Sequence, residues 1–502
     1  MNQVNIAQSQ PPSDGQSQHI ALIDIGSNSV RLVVYRDYSH YPFPVLNERV
    51  TCKLGQGLDE TRMLNSERMD STLEVLGRFA HLLKAINPSF VYVAATAAVR
   101  RATNGAKFAH HAEQILGYQV HVLPAEEEAR LISLGITRFE GKISGIVADL
   151  GGGSIEIVHV DKGKSVNMIS LNIGHLTSRK PSEIKKAIKE IGWLKQAKGL
   201  PLYGIGGSFR AIGSAYISRQ NYPLPLLHGL EIDKDDVLDI LSSLISSPAD
   251  MTGVPVSRQT TILPAAVIIK HLVKASGISE LIVSGTSIRD GLMADIFPQT
   301  YNPGDPLLLA CGDLARESQR ADGLSEALAA LLAPIAAVFK HAKLGTIGGS
   351  HKQFMRMVEA ACLLSDICWN EPSDLRGQLA CSRILALPVF SLTHIQRAWL
   401  AKAVYHRYVG TKPNKAQPTL SDTLLARRER FSAKAVGLGM RFGQNFCGGV
   451  PEYLSELSVR VEANKLICSV PEKRALLMDM PSQRRFAIFA ESCRLKPVIC
   501  YH

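Results

Sequence analysis

The stretch Ile146-Val-Ala-Asp149-Leu-Gly151-Gly152-Gly153-Ser154-Ile-Glu156-Ile-Val158 decides how the chain is read. An apolar run ends in an aspartate, turns through glycines and a serine, and re-enters an apolar run that carries Glu156. This pattern predicts a strand, a tight loop and a second strand. Glycines let the loop approach a ligand closely, and successive backbone N–H groups in such a turn form a concavity suited to phosphate. Asp149 and Glu156 add carboxylates nearby, and hard oxygen ligands beside phosphate suit Mg²⁺. An ordinary glycine-rich hairpin has the same composition, so the stretch takes its meaning from its company.

That company is extensive. Ala21-Leu-Ile-Asp24-Ile-Gly26-Ser27-Asn28-Ser29-Val-Arg31-Leu repeats the design near the N-terminus. Leu202-Tyr-Gly204-Ile-Gly206-Gly207-Ser208-Phe-Arg210 adds a third glycine-rich turn before a helical pattern, and Leu281-Ile-Val-Ser284-Gly285-Thr286-Ser-Ile-Arg289-Asp290-Gly291 a fourth. Hairpin loops with an aspartate at the end of the first strand, in successive halves of one region, resemble a duplicated βββαβα plan. Actin, chaperone ATPases and sugar kinases share it, with a phosphate cleft between the halves.

The chain has 502 residues, 46% of them hydrophobic and 20% charged, which is ordinary globular composition with room for three or four domains. No uninterrupted apolar run is long enough to span a bilayer. Residues 1–18 are Gln-, Ser- and Pro-rich without an apolar core, so a disordered leader is expected there and not a signal peptide. Nine scattered cysteines without a C-x-x-C pair fit a reducing cytoplasm, and Cys362 and Cys368 read as buried thiols on a helix. The net charge of +11 suits polyanionic partners as well as it suits a merely soluble basic surface, and no nucleic-acid module is present.

Strand and helix patterns alternate to about residue 300. Ala95-Thr96-Ala-Ala-Val-Arg100 follows a buried strand, the usual ligand edge of an α/β sheet, although a solvated arginine at a helix start reads the same way. Ala125-Glu126-Glu127-Glu128-Ala129-Arg130 opens a helix. The helix dipole alone favours acidic residues there; equally, carboxylates at the sheet's carboxyl end offer a general base. The expected domains are residues 19–140 and 141–302 for the two α/β halves, 303–445 for a helical domain and 446–502 for a small α+β domain.

The ordered set DIGSNSVRL, ATAAVR, AEEEARL, DLGGGSIEI, GIGGSFRAI and SGTSIRDGL resembles the exopolyphosphatase/guanosine pentaphosphate phosphatase family over about the first three hundred residues. The resemblance implies an α/β fold of duplicated actin-like, ribonuclease-H-like domains that hydrolyses a terminal phosphoanhydride and releases orthophosphate. It implies Glu128 as the catalytic glutamate, Glu156 as the second key glutamate, and Asp149 with Glu156 and Asp24 at Mg²⁺. Phosphate-binding positions map to Ser27, Asn28, Ser29, Arg100, Gly151, Gly152, Gly153, Ser154, Gly206, Gly207 and Ser208. Another divalent cation, and activation by a monovalent one, stay open.

The helical region resembles the family's third domain, related to the HD phosphohydrolases, but carries Ser365-Asp366 where a His-Asp metal pair would stand. It therefore reads as a binding and dimerisation element, in keeping with the homodimer the family suggests. Its basic residues Arg397, Lys402, His406, Arg407, Arg427 and Arg430 would either continue a polyanion channel or form a soluble face. Exopolyphosphatase is the first reading, because the C-terminal extension and basic excess favour a long anion. Hydrolysis of pppGpp, alone or as a second activity, is the alternative. A non-catalytic polyphosphate-binding regulator has no need of the water-activating carboxylates, and a sugar kinase lacks an adenosine or sugar signature.

Overall fold

A computed structural model of the protein describes residues 19–37, 44–177, 179–298, 304–317, 322–339, 351–411 and 420–502. The leader expected at residues 1–18 lies outside them. The chain divides into two compact units, residues 1–303 and 304–502.

The first unit carries two sheets. Strands β1 (Ile20–Ile25), β2 (Ser29–Tyr35), β3 (Pro44–Thr51), β4 (Phe90–Ala95) and β5 (Val120–Val122) form one in the order β3-β2-β1-β4-β5. Strands β6 (Gly145–Leu150), β7 (Ile155–Asp161), β8 (Lys164–Leu171), β9 (Leu202–Ile205), β10 (Leu230–Asp233) and β11 (Glu280–Val283) form the other as β10-β11-β9-β6-β7-β8. In each, a hairpin meander is followed by parallel strands reached through helices: β4 lies parallel to β1, and β9 to β6. This is the duplicated actin-like plan, with β10 as an added antiparallel edge strand.

The central strands β1 and β6 are covered on both faces, which is why they read as continuous apolar runs and not as alternating ones. One core spans both halves, joining Ile20, Leu22 and Tyr92 to Val147, Val158 and Leu292. The helix Ala125–Glu140 packs tightly on the helix Ile288–Ile296. A Cβ on Gly291 would sit 1.9 Å from the Leu131 carbonyl oxygen, so only glycine permits this approach. That contact braces the helix whose first turn carries Glu128.

The second unit is mainly helical, with helices His351–Leu363, Arg376–Ala386, His394–Val409 and Arg427–Cys447. Gly437 lets the last two approach, since a Cβ there would lie 2.2 Å from the Ala403 carbonyl oxygen. A three-stranded sheet of β12 (Ser458–Glu462), β13 (Lys465–Val470) and β14 (Lys496–Tyr501), with the helix Met480–Ser492, completes it. Cys362 and Cys368 are buried free thiols, Cys362 on the helix His351–Leu363 and Cys368 just past a short 3₁₀ turn. Among the described residues no helix is long and apolar enough to cross a membrane.

Candidate active site

The two hairpin loops are built alike. Gly26 N donates to Ser29 O at 3.1 Å, and Gly151 N to Ser154 O at 3.0 Å. In register, Asp24 faces Arg31 across the first hairpin as Asp149 faces Glu156 across the second, so the duplicated position is basic in one half and acidic in the other. Each loop is pinned by a following segment. Cys52 and Lys53 N donate to Asn28 O, and Gly55 N to Ser27 O at 2.8 Å; His175 N donates to Gly151 O at 3.2 Å and Leu176 N to Gly152 O at 2.9 Å. The loops meet face to face: a Cβ on Gly152 would lie 2.9 Å from that of Ser27.

Between them is a cavity of about 170 Å³, walled by both loops, by Gly206 and Gly207 at the start of the helix Gly206–Arg219, and by Thr286–Arg289. The carboxylates Asp24, Glu128, Asp149 and Glu156 line it, as do five arginines, Arg31, Arg49, Arg210, Arg258 and Arg289. Burial pushes Glu156 up to about 8, helped by Glu128 and Asp149, although hydroxyls of Ser154 and Ser170 bond the carboxylate. Burial likewise raises Asp149 to about 6 against the pull of Arg210, and Glu128 to about 7 against the pull of Arg100. Four of the five arginines are shifted downward, whereas Arg289 is raised, against its burial, with the help of Asp24 beside it. Burial and mutual repulsion lower Arg31 and Arg258 to about 10, and lower Arg49 and Arg210. A cavity that gathers several arginines onto one wall suits an anion that they can share.

The expected site residues divide into those at the cavity and those behind it. Glu128, Glu156, Asp149, Ser27, Asn28, Ser29, Gly151, Gly152, Gly153, Ser154, Gly206 and Gly207 all border it. Arg100, expected at phosphate, stands instead behind Glu128: its Nη1 pairs with the Glu128 carboxylate and donates to Leu123 O at 2.6 Å. Ser208, also expected at phosphate, is buried with its hydroxyl 3.3 Å from His175 Nδ1. Asp24, expected at the metal, borders the cavity and is paired through Oδ2 with Arg289 Nη1 at 2.8 Å.

The residues that motif reading passed over are Arg49, Arg258 and His175, together with the arginines embedded in quoted stretches, Arg31, Arg210 and Arg289. Arg31, two residues past Ser29, and Arg210, three past Gly207, carried a spacing signal; Arg49 and Arg258 reach the cavity only through the tertiary fold.

In the second unit the basic residues expected to form a channel separate. Arg427 and Arg430 are exposed. Arg397 is wholly buried and donates to the carbonyls of Leu387 at 2.5 Å and Val389 at 2.9 Å, closing the C-terminus of the helix Arg376–Ala386. Lys402 is buried against Asp422 at 2.8 Å, and His406 is buried with Nδ1 2.8 Å from Gly410 O. These three are scaffold, not channel surface. Arg407 Nη2 holds Asp366 Oδ1 at 2.6 Å, and Gln444 Nε2 bonds both Asp366 and Ser365.

Comparison with known proteins gives the same assignment. The model of the Ppx/GppA phosphatase family matches residues 33–300, and that of the exopolyphosphatase C-terminal region matches residues 341–496. A curated relative, the guanosine-5′-triphosphate,3′-diphosphate pyrophosphatase of Pseudoalteromonas translucida, is 28% identical over 305 residues, 57% of this chain. The match spans only 61% of that relative's own length. An exopolyphosphatase structure from Cytophaga hutchinsonii covers 57% of this chain and 100% of its own at 22% identity and a TM-score of 0.50, a likeness of fold. A Ppx/GppA family member from Aquifex aeolicus covers 57% of this chain and 99% of its own at 25% identity and a TM-score of 0.46. With more than half its length matched and its paired glycine loops closing on one cavity, the chain belongs to the Ppx/GppA phosphatase family.

Proposed function

We propose that this phosphatase is an exopolyphosphatase, hydrolysing the terminal phosphoanhydride of inorganic polyphosphate and releasing orthophosphate. The observation that carries the reading is the gathering of five arginines on the same cavity as the two glycine loops and Glu128. Phosphoanhydride hydrolysis requires neutralisation of the phosphoryl oxygens and an oriented water. Loop N–H groups and arginines serve the first need. Glu128, at the cavity wall and raised to about 7, serves the second by accepting the water's proton, worth roughly 10²–10⁴-fold. Arg100 keeps that carboxylate oriented.

The donor set fits Mg²⁺. Asp149 and Glu156 are cross-strand partners, and burial raises both carboxyls, Glu156 with the help of Glu128 and Asp149. Mg²⁺ commonly takes one or two carboxylates and completes its shell with water and phosphate, a role these two side chains can fill. When bound there it would supply positive charge to the phosphoryl oxygens.

The second reading, hydrolysis of pppGpp, is favoured by the activity named for the curated relative. Orthophosphate release with Mg²⁺, from long-chain polyphosphate and from pppGpp at matched terminal-phosphate concentration, tests both. Preference for the polymer, abolished by Glu128→Gln, is expected. Preference for pppGpp would transfer the assignment to the nucleotide. Binding of polyphosphate without release from either would leave a non-catalytic regulator.

A further inference from the structure

His175 borders the cavity but belongs to none of the expected phosphate-binding stretches. It is 5% exposed and held rigidly, since its own N–H and that of Leu176 are bonded to the Gly151 and Gly152 carbonyls. Gly174, just before it, lies so close to the loop that a Cβ would stand 2.1 Å from Gly152 O. The imidazole is thus carried by the loop itself. Its Nδ1 lies 3.3 Å from the buried hydroxyl of Ser208, in the first turn of the helix Gly206–Arg219, whereas Nε2 is buried with no hydrogen-bond partner.

Buried polar atoms of native proteins are almost always paired, so an orphan on the wall of a binding cavity points to a partner that arrives with the ligand. Burial, with Arg258 and Arg49 alongside and the Gly151 carbonyl acting the other way, lowers the ring to about 4, so it is neutral near pH 7 and carries one N–H. A serine hydroxyl can donate or accept. Phosphate oxygens only accept. With a phosphate chain in the cavity, the consistent arrangement has Ser208 donating to Nδ1 and the proton on Nε2.

On this geometry we propose that His175 is a positioning residue for the phosphate chain, a neutral donor through Nε2 whose tautomer is set by Ser208. This rests on the phosphate-chain reading above. A neutral donor held in place by the glycine loop adds one more directed hydrogen bond to those of the arginines, and so helps hold one register of the chain.

The test uses the full-length protein at pH 7.5 without divalent cation, with inorganic tripolyphosphate as the probe. Titration calorimetry should show His175→Leu binding about ten- to a hundredfold more weakly than wild type, the loss expected for a hydrogen bond to a charged group. His175→Gln, whose amide nitrogen reaches the Nε2 position, should recover most of that loss; His175→Asn, which reaches only as far as Nδ1, should not. If His175→Leu does not fold, the comparison of glutamine with asparagine decides alone. Nitrogen-15 spectra of labelled histidine should show the Nε2–H tautomer in the complex and its loss in Ser208→Ala. Wild-type affinity in His175→Leu, equal affinities for the glutamine and asparagine variants, or an unmoved Nε2 resonance would overturn the inference. Failure of the wild type to bind tripolyphosphate would instead overturn the phosphate-chain reading beneath it.

Discussion

Replacing Arg100 with glutamine separates the phosphate contact expected from the sequence from the support of Glu128 that the fold gives this residue. Its guanidinium pairs with Glu128 and caps the Leu123 carbonyl, away from the cavity wall. Burial raises the Glu128 carboxyl to about 7, and Arg100 is the chief influence opposing that rise. A charge-assisted hydrogen bond in such a place is worth about 1.5–3 kcal/mol, which corresponds to about one to two pH units. Glu128 in Arg100→Gln is therefore expected to titrate near pH 8–9, where the base must be ionised to work. At pH 7 the ionised fraction falls from about half to about 1–10%, so turnover should drop roughly five- to fiftyfold. By pH 10 it should return to within about threefold of wild type. Orthophosphate release measured from pH 5 to 10 gives both limbs. A loss of the same size at every pH, with KM raised, would mean that Arg100 grips phosphate directly and would refute its assignment as the support of Glu128.

The folded state holds protons on Asp149 up to about 6 and on Glu156 up to about 8, above their unfolded values, so their contribution to stability is full at about pH 4 and is lost as pH rises through those values. Asp149 alone accounts for ~3 kcal/mol; denaturant melts of metal-free protein should show lower stability at pH 8.5 than at pH 5, with Mg²⁺ restoring part of it, and a flat profile would contradict this. Gly174→Ala puts a Cβ 2.1 Å from Gly152 O and must displace the glycine loop. A shift of that kind should lower kcat/KM about a hundredfold, and unchanged kinetics would show that the loop yields freely. Arg397→Met leaves buried helix-end carbonyls unbonded and should destabilise the helical unit by about 3 kcal/mol, whereas exposed Arg427→Ala should be neutral in the same melts. If Arg397→Met kept full stability and raised KM for polyphosphate instead, the channel reading of Arg397 would return.

The recurrence of Asp24-x-Gly26-x-x-Ser29 as Asp149-x-Gly151-x-x-Ser154 was legible because hairpin chemistry is local. A strand, a turn that needs glycine and a returning strand lie within a dozen residues, and their hydrogen bonds close within the same stretch. Glu128 was legible only with the family resemblance, since helix-dipole stabilisation explains acidic residues in a first turn equally well. The basic helical residues misled for a related reason. Helical spacing shows which side chains share a face, but not whether the neighbouring element offers carbonyls or a carboxylate. Arg397 and Lys402 met such partners and are interior.

By itself, then, the sequence determined the duplicated α/β plan, the paired glycine loops and the carboxylates Asp149 and Glu156 beside them, all of which follow from short-range periodicity and turn chemistry. Only the tertiary structure decided that Arg49 and Arg258 join Arg31, Arg210 and Arg289 on one cavity, that Arg100 and Ser208 stand behind it, and that His175 borders it. These side chains come from segments far apart in the chain. Their meeting depends on how the two sheets close on each other across a shared core, and no local pattern records that closure.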